Sequence, residues 1–532
     1  MQFPLNRIVK KIFLFNLFVF VLISMLQAQV NEVEFGKNRL QFKKFNWQYY
    51  QTKNFNTYFS QNGQELAKYV AQIAEKELRG LEEFIEYSLQ RRTNIVVYNH
   101  FNDMLQSNIG QGINWQNSGG VTTLVNNKMV VYFNGDHNDL RKQVREGIAK
   151  VLTQNVLFGD DLGEFAGNQT LLDLPAWLTD GYIAYAGENW STKLDDDLKS
   201  EVLSVKYRNF YQFAFEKPLI AGHAFWYYIE EKYKKENVTY LLYLARVYKN
   251  LNRACQQVTK KKFKEVLKDF MAYEDEKYSK DVSRRKNYPK GSEVTSYTIT
   301  KNKDYFHFNV NPVKRNNGYA VVQFDRGQYR VLLNLDDVNK TLLKFGARSN
   351  MPDVNPNYPM MAWDPKGTRL SVLYSEEGRI KLFVYDIITK VKPYKRDLTD
   401  RLDQVEEMTY SLDSKTLLFS AVLNGHTDIF TYDLENDKLK RVTNDIYDDV
   451  DASFVAFPGK TGILFSSNRP SSYAHSADTV LPNNRYNVFL ITDFTTDKPE
   501  LNRINQLSNL KFGDARYPTQ YNALHFTFVM IS

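Results

Sequence analysis

Glu146 and Asp180 are the two carboxylates whose sequence surroundings best suit chemistry. Glu146 lies in Asp139-Leu-Arg-Lys-Gln-Val-Arg-Glu-Gly-Ile-Ala-Lys-Val-Leu152, and Asp180 lies in Leu174-Pro-Ala-Trp-Leu-Thr-Asp-Gly-Tyr-Ile-Ala-Tyr185. Both stretches read as helices. On the first, positions 145 and 149 share one face with Glu146 beside them. Two imidazoles at such a pair can hold zinc, a carboxylate from a second helix can complete the set, and the intervening Glu can take a proton from the metal-bound water. Here position 145 is Arg and position 149 is Ala. Arginine stays protonated and alanine has no donor atom. Arg145 and Ala149 therefore cannot ligate a metal, which leaves Asp180 as one potential ligand and Glu146 as a potential general base. No metal or other cofactor is expected. Zinc enters only under the alternative of a metallopeptidase with a rearranged site.

That alternative would need histidines from elsewhere. The seven in the chain are dispersed, with His137 near the start of the first helix and His223 on a later one. Glu146 has Lys142 and Lys150 one helical turn away on either side, so a structural ion pair accounts for it without catalysis. A serine-hydrolase elbow, Gly-x-Ser-x-Gly, is absent, and Cys255 has no recognisable catalytic partner.

The elements around these helices form an α+β pattern. A strand pair is expected over Phe45–Phe59, a helix from Gln61 to Glu86, a strand at Thr93–Tyr98, and a strand or hairpin over Val121–Phe133 turning at Asn126-Asn127. Helices dominate from Leu198 to about Glu276, the clearest being Pro218–Tyr233, Val238–Leu251 and Phe263–Tyr273. The charged segment Glu274–Lys290 shows no apolar period and reads as a linker.

From about Val294 the pattern changes to short strands. Val372-Leu-Tyr-Ser375, Leu417-Leu-Phe-Ser420 and Ile463-Leu-Phe-Ser466 are equivalent phrases: Tyr374 to Phe419 is 45 residues, and Phe419 to Phe465 is 46. Each follows a turn, as in Asp364-Pro-Lys-Gly367 and Asp413-Ser-Lys415. Each precedes an outgoing strand ending in Asp, at Asp386, Asp433 and Asp493. A period near 45 with four short strands per unit marks a β-propeller blade. A weaker unit precedes these, around Tyr319–Phe324 and Leu333–Asp336. Arg516–Phe528 opens another before the sequence stops at Ser532, so the ring is expected to be incomplete, as in a truncated product.

On Arg145-Glu146, Leu174–Gly181, Glu188-Asn-Trp190 and the later helix from Gly222, residues 45–275 resemble the peptidase-MA, gluzincin-type domain. On Asp364-Pro-Lys-Gly367 and the Tyr-Asp strand ends, residues 295–532 resemble the propellers of TolB and of the tricorn protease N-terminal region. The fold class is then multidomain, an α+β zincin-like domain followed by an all-β, WD40-like or TolB-like propeller. The expected divisions are a signal peptide at 1–28, the peptidase-like domain at 40–275, a linker at 276–294 and the propeller at 295–532. The resemblance implies a pseudoenzyme, with Arg145, Ala149 and Asp180 as degenerate metal-ligand positions and Glu146 as a vestigial general-base position, whose propeller binds protein partners through loops at the ends of the ring. Asn424, His426 and Asp428 lie in one such loop. Ser471 and Asn484 bound another, an insertion that stretches Asp433–Asp493 to 60 residues against 47 for Asp386–Asp433.

Composition sets the address. Arg7, Lys10 and Lys11 precede a largely apolar run, Ile12–Leu26, which reads as an export signal cleaved after Ala28. Its removal takes three positive charges and no acids from a net +8, leaving +5. So small a surplus over a chain of this length does not indicate nucleic acid. A single cysteine excludes an internal disulfide and fits a bacterial periplasm. The expectation is an exported protein of a Gram-negative envelope, periplasmic or attached to the outer membrane, with protein partners and scope for peripheral membrane association.

Overall fold

The computed structural model describes residues 41, 43–107, 128–158, 174–285, 297, 303–313, 318–336, 338–346, 355, 357–376, 378–457, 460–469, 486–496 and 499–505. The expected signal peptide, the 471–484 insertion and the 516–528 fragment lie outside them.

The first half is built on a four-stranded sheet in the order β1-β2-β3-β4: β1 (Gln48–Gln51), β2 (Phe55–Phe59), β3 (Thr93–Tyr98) and β4 (Lys128–Tyr132). The first pair is an antiparallel hairpin; β2–β3 and β3–β4 are parallel. Parallel neighbours need crossovers. Helix α1 (Gln64–Ile85) supplies the one between β2 and β3, and the short α2 (Phe101–Met104) follows β3. The turn expected at Asn126-Asn127 lies outside the described residues. Helix α1 buries Leu66, Val70, Ile73, Leu78, Leu81 and Ile85 and stops at Glu86 in the left-handed region (φ 56°).

Helix α3 (His137–Phe158) carries Leu140, Val144, Ile148 and Leu152, four apart and all buried. It packs against α1 and β4, where a side chain at Gly147 would meet Met129 Sδ at 2.6 Å. Then come α4 (Ala176–Gly187), α5 (Thr192–Leu203), α6 (Phe210–Glu216), α7 (Pro218–Tyr233), α8 (Glu236–Tyr248), α9 (Leu251–Thr259) and α10 (Phe263–Ser283). Helices α4 and α7 cross at Gly181 and Gly222: a Cβ on Gly222 would run into the Trp177 carbonyl, and one on Gly181 into the Gly222 backbone. The helix expected over Val238–Leu251 is two elements, because Lys249 turns left-handed (φ 49°) and Asn250 caps α9 by accepting from Arg253 N at 2.9 Å. Helix α10 runs on to Ser283, through the stretch expected to begin the linker. Tyr278 is buried there against Asp195 (2.9 Å), and Lys277 pairs with Asp195 at 3.2 Å.

Among the described residues, the second half holds four consecutive four-stranded antiparallel sheets, each with its strands paired in sequence. They are β5 (Lys303–Val310), β6 (Gly318–Asp325), β7 (Gln328–Leu335) and β8 (Val338–Phe345); β9 (Met360–Trp363), β10 (Arg369–Glu376), β11 (Arg379–Asp386) and β12 (Tyr394–Asp397); β13 (Gln404–Tyr410), β14 (Thr416–Leu423), β15 (His426–Asp433) and β16 (Lys438–Arg441); β17 (Asp449–Phe457), β18 (Lys460–Ser467), β19 (Asn487–Ile491) and β20 (Leu501–Asn505). Adjacent sheets meet along their first strands, β5 with β9, β9 with β13 and β13 with β17. This is the arrangement of propeller blades.

The repeated phrases now have physical causes. In β14, Leu417 and Phe419 join the core with the preceding blade, while Leu418 joins the core with the following one. A second strand buried on both faces must read as a continuous apolar run. The strand-end aspartates make one turn three times: Asp386 Oδ1 accepts from Ile388 N and Thr389 N (2.9 and 2.8 Å), Asp433 Oδ1 from Glu435 N and Asn436 N (2.8 and 3.0 Å), and Asp493 Oδ1 from Thr495 N (2.9 Å). Asp364 Oδ1 likewise holds Thr368 N and Arg369 N at 2.7 and 2.8 Å.

Candidate functional site

Among the described residues, two places combine polar side chains with a shaped surround: the C-terminal end of α4 against the middle of α3, and the space between the innermost propeller strands.

At the first, Arg145 projects from α3 towards the C-terminus of α4. Its Nε donates to Gly187 O at 2.8 Å, one Nη to Ala186 O at 2.9 Å, and the other to the Glu77 carboxylate on α1. Carbonyls left over at a helix C-terminus carry partial negative charge, so a cation is favoured there. Glu77 is buried and also accepts from Arg141 Nε at 2.8 Å. Arg145 thus ties three helices together. Glu146 is buried against Gly187, where a Cβ would strike its side chain. Ala149 is fully buried, and Asp180 is half-buried.

The electrostatics follow from burial and these neighbours. Burial works against the Lys142 charge, but Glu146 and Glu188 outweigh it, and the ammonium holds its proton more tightly than usual; it pairs with Glu188 at 2.6 Å. Burial lowers the pKa of Lys150, with Asp180 opposing. His223 is pushed down to about 4 by burial, against its 2.8 Å hydrogen bond to Asn189 O. His137 is elsewhere: its Nδ1 lies 2.6 Å from Asp448 Oδ1 in the propeller half. The two histidines weighed for a rearranged site are therefore in separate networks. Among the described residues, no three of His, Cys, Asp and Glu are grouped so as to hold a metal ion. The positions expected to correspond to ligands offer one carboxylate, one guanidinium engaged elsewhere and one methyl, a set that does not fit zinc.

The second place is a cavity of about 440 Å³ lined from β5, β9, β13 and β17 and their approaches. Three of these strands bulge at the lining, between Phe306 and Asn309, Val405 and Glu407, and Val450 and Ser453. A bulge re-aims side chains. Here His307, Glu406 and Asp451 occupy the bulges, and Glu407 lies beside them. His307 Nδ1 donates to Pro359 O at 2.7 Å. Glu406 accepts from Gln404 Nε2 at 2.6 Å and from Asn357. Burial nevertheless pushes it up to about 8, with Asp136 and Asp139 adding to the shift and the two amide bonds opposing it. Burial, then Asp451, hold Glu407 well above the usual carboxylate range.

The loop between β4 and α3 packs beside Glu406, where a Cβ on Gly135 would lie 2.8 Å from Glu406 Cγ. It is fastened by Thr427 Oγ1 to Gly135 O (2.8 Å), Tyr486 OH to Asp136 (3.3 Å) and the His137–Asp448 pair.

The same interface takes up part of the loop expected to project towards partners. Gly425 faces Leu66 of α1, His426 is half-buried, and Asp428 is fully buried and ion-paired with Arg441; Asn424 remains exposed. Ser471 and Asn484 lie outside the described residues. Sequence reasoning missed Glu406, Glu407 and Asp451. The only available signal was acids inside strands whose neighbours are apolar, in Gln404-Val-Glu-Glu-Met408 and Asp449-Val-Asp-Ala452.

No protein-family model matches the chain. No curated protein matches it either. Its neighbours among solved structures are TolB-like and other β-propeller proteins. TolB from Acinetobacter baumannii is 19% identical with a TM-score of 0.21, over 38% of this chain and 53% of that one. The β-propeller domain of the Trilobed protease from Pyrococcus furiosus is 10% identical with a TM-score of 0.26, over 39% and 59%. The acylaminoacyl peptidase of Pyrococcus horikoshii is 12% identical with a TM-score of 0.25, over 38% and 32%. The chain thus matches less than two thirds of each of these structures.

Proposed function

We propose that this chain is an exported binding or scaffolding protein of the bacterial cell envelope, in which a non-catalytic peptidase-like domain is joined to a protein-binding propeller. The observation that carries the non-catalytic half is Arg145. It stands at the first ligand position of a zinc peptidase, and its donors go to Glu77 and the last carbonyls of α4. A cation tied into the scaffold there repels a metal ion and leaves Glu146 without a metal-bound water to deprotonate. The propeller half supplies the surface for a partner. Export rests on the composition of residues 1–28, and among the described residues no helix is long and apolar enough to cross a membrane.

The test is metal content and peptidase activity of the purified chain beginning at residue 29, together with cross-linking in an envelope fraction. The expected outcome is no stoichiometric zinc, no chelator-sensitive peptide hydrolysis, and recovered protein partners. Stoichiometric zinc with hydrolysis that a chelator abolishes would overturn the reading in favour of a rearranged metallopeptidase.

A further inference from the structure

We propose that the cavity between the innermost strands receives the cationic side chain of a partner polypeptide, an arginine or lysine whose stem lies along Met360, Met361 and Met408 and whose tip reaches Glu407 and Asp451. This rests on the reading of the propeller as a binding module and names what it binds.

The carboxyls are not a bare acidic patch. They line a cavity of about 440 Å³, within the range of pockets that hold small ligands, together with three methionines, Phe308 and neutral polar groups such as Asn309 and Thr409. Methionine adapts to flexible alkyl chains. Arginine and lysine combine such a chain with a charged tip. Among the described lining residues there is no Lys or Arg, although the chain as a whole is net positive.

Glu406 has its acceptors engaged by Gln404 and Asn357 and abuts the Gly135 loop, which leaves Glu407 and Asp451 to meet a ligand. Glu407 and Asp451 come from neighbouring blades and share a hydrogen bond. Two carboxyls so placed cannot both ionise unless a cation compensates them. A guanidinium fork spans two carboxylate oxygens and satisfies both.

Filling the site with a cation favours the ionised form of Glu407, so binding releases a proton. The ionisable groups facing the pair are Glu406 on the same strand and His307 on β5, with Asp136 and Asp139 of the first half acting on Glu406. A bare metal ion is a poorer fit. The carboxyls are hard donors, but among the described residues no three of His, Cys, Asp and Glu are grouped so as to hold one.

The test is calorimetric titration of the purified chain, at pH 7 in two buffers of different ionisation heat, with acetyl-Gly-Arg-Gly-amide and its citrulline counterpart. Citrulline keeps the shape and removes the charge. The arginine peptide is expected to bind at least about tenfold more tightly, with a proton released to the buffer. Glu407→Gln with Asp451→Asn should abolish that preference. Ser453→Lys, which plants a cation beside Asp451, should abolish binding while leaving the circular dichroism spectrum intact. Equal affinity for the two peptides, no binding by the wild type, or unchanged binding in both variants would overturn the proposal. Partners recovered by cross-linking without arginine-peptide binding would overturn the cation pocket and leave the binding reading standing; loss of both would overturn both.

Discussion

Replacing Arg145 by methionine isolates what the guanidinium does, because methionine keeps most of the stem and removes the donors. Three contacts are lost: to Gly187 O at 2.8 Å, to Ala186 O at 2.9 Å, and to the Glu77 carboxylate. Hydrogen bonds involving a charged group contribute ~1.5–3 kcal/mol each when shielded. The Arg145 side chain is 27% exposed, so water competes and the lower part of that range applies. At the low end the three together come to about 4.5 kcal/mol, an upper figure for a partly exposed side chain. Glu77 is not orphaned, because Arg141 remains at 2.7 Å. The coupling between Arg145 and Glu77 should therefore be smaller, about 1 kcal/mol. A double-mutant cycle of Arg145→Met and Glu77→Gln, followed in urea by tryptophan fluorescence, measures both quantities; Trp177 and Trp226 on α4 and α7 report on this half. A loss below about 0.5 kcal/mol for Arg145→Met, or strict additivity in the cycle, would refute the idea that this residue is a structural strut joining α1, α3 and α4.

Two other outcomes follow from the geometry. Glu406 is raised from 4.5 to about 8, so between those values the folded state holds a proton that the unfolded state releases. Its contribution to stability is therefore present at low pH and lost as pH rises from about 4.5 through about 8, by at most ~5 kcal/mol. Melting temperature should fall across that window, and Glu406→Gln should flatten the fall; an identical pH profile in the variant would contradict it. Gly222→Ala should destabilise the first half by ~1–3 kcal/mol, because the added methyl meets the Trp177 carbonyl and two helix backbones must separate. A urea midpoint equal to wild type would show that the α4–α7 contact gives way freely.

Local pattern alone made much of the architecture legible. The strand at Thr93–Tyr98 and the helix at Pro218–Tyr233 coincide with the structural elements, because an apolar run in one and Pro at the first helical position in the other are local causes. The blade phrases were legible because each residue type repeats a local task, such as Asp386, Asp433 and Asp493 accepting from the backbone just beyond them. The break at Lys249 was missed, since a left-handed cap on a lysine carries no compositional mark. So was the extension of α10 to Ser283, which Tyr278 anchors through packing on another helix.

The sequence by itself determined that positions 145 and 149 carry no zinc-ligating side chain, and that four-stranded units recur every 45 or so residues in the second half. It could do so because side-chain chemistry and repeat spacing are properties of the chain read one residue at a time. Only the tertiary structure decided that Arg145 reaches Glu77 from 68 residues away, that His137 meets Asp448 across 311, and that two bulged strands turn Glu406, Glu407 and Asp451 into one cavity. Those juxtapositions depend on which helix ends face each other and where a strand slips its register, and both are settled by packing between elements distant in the chain.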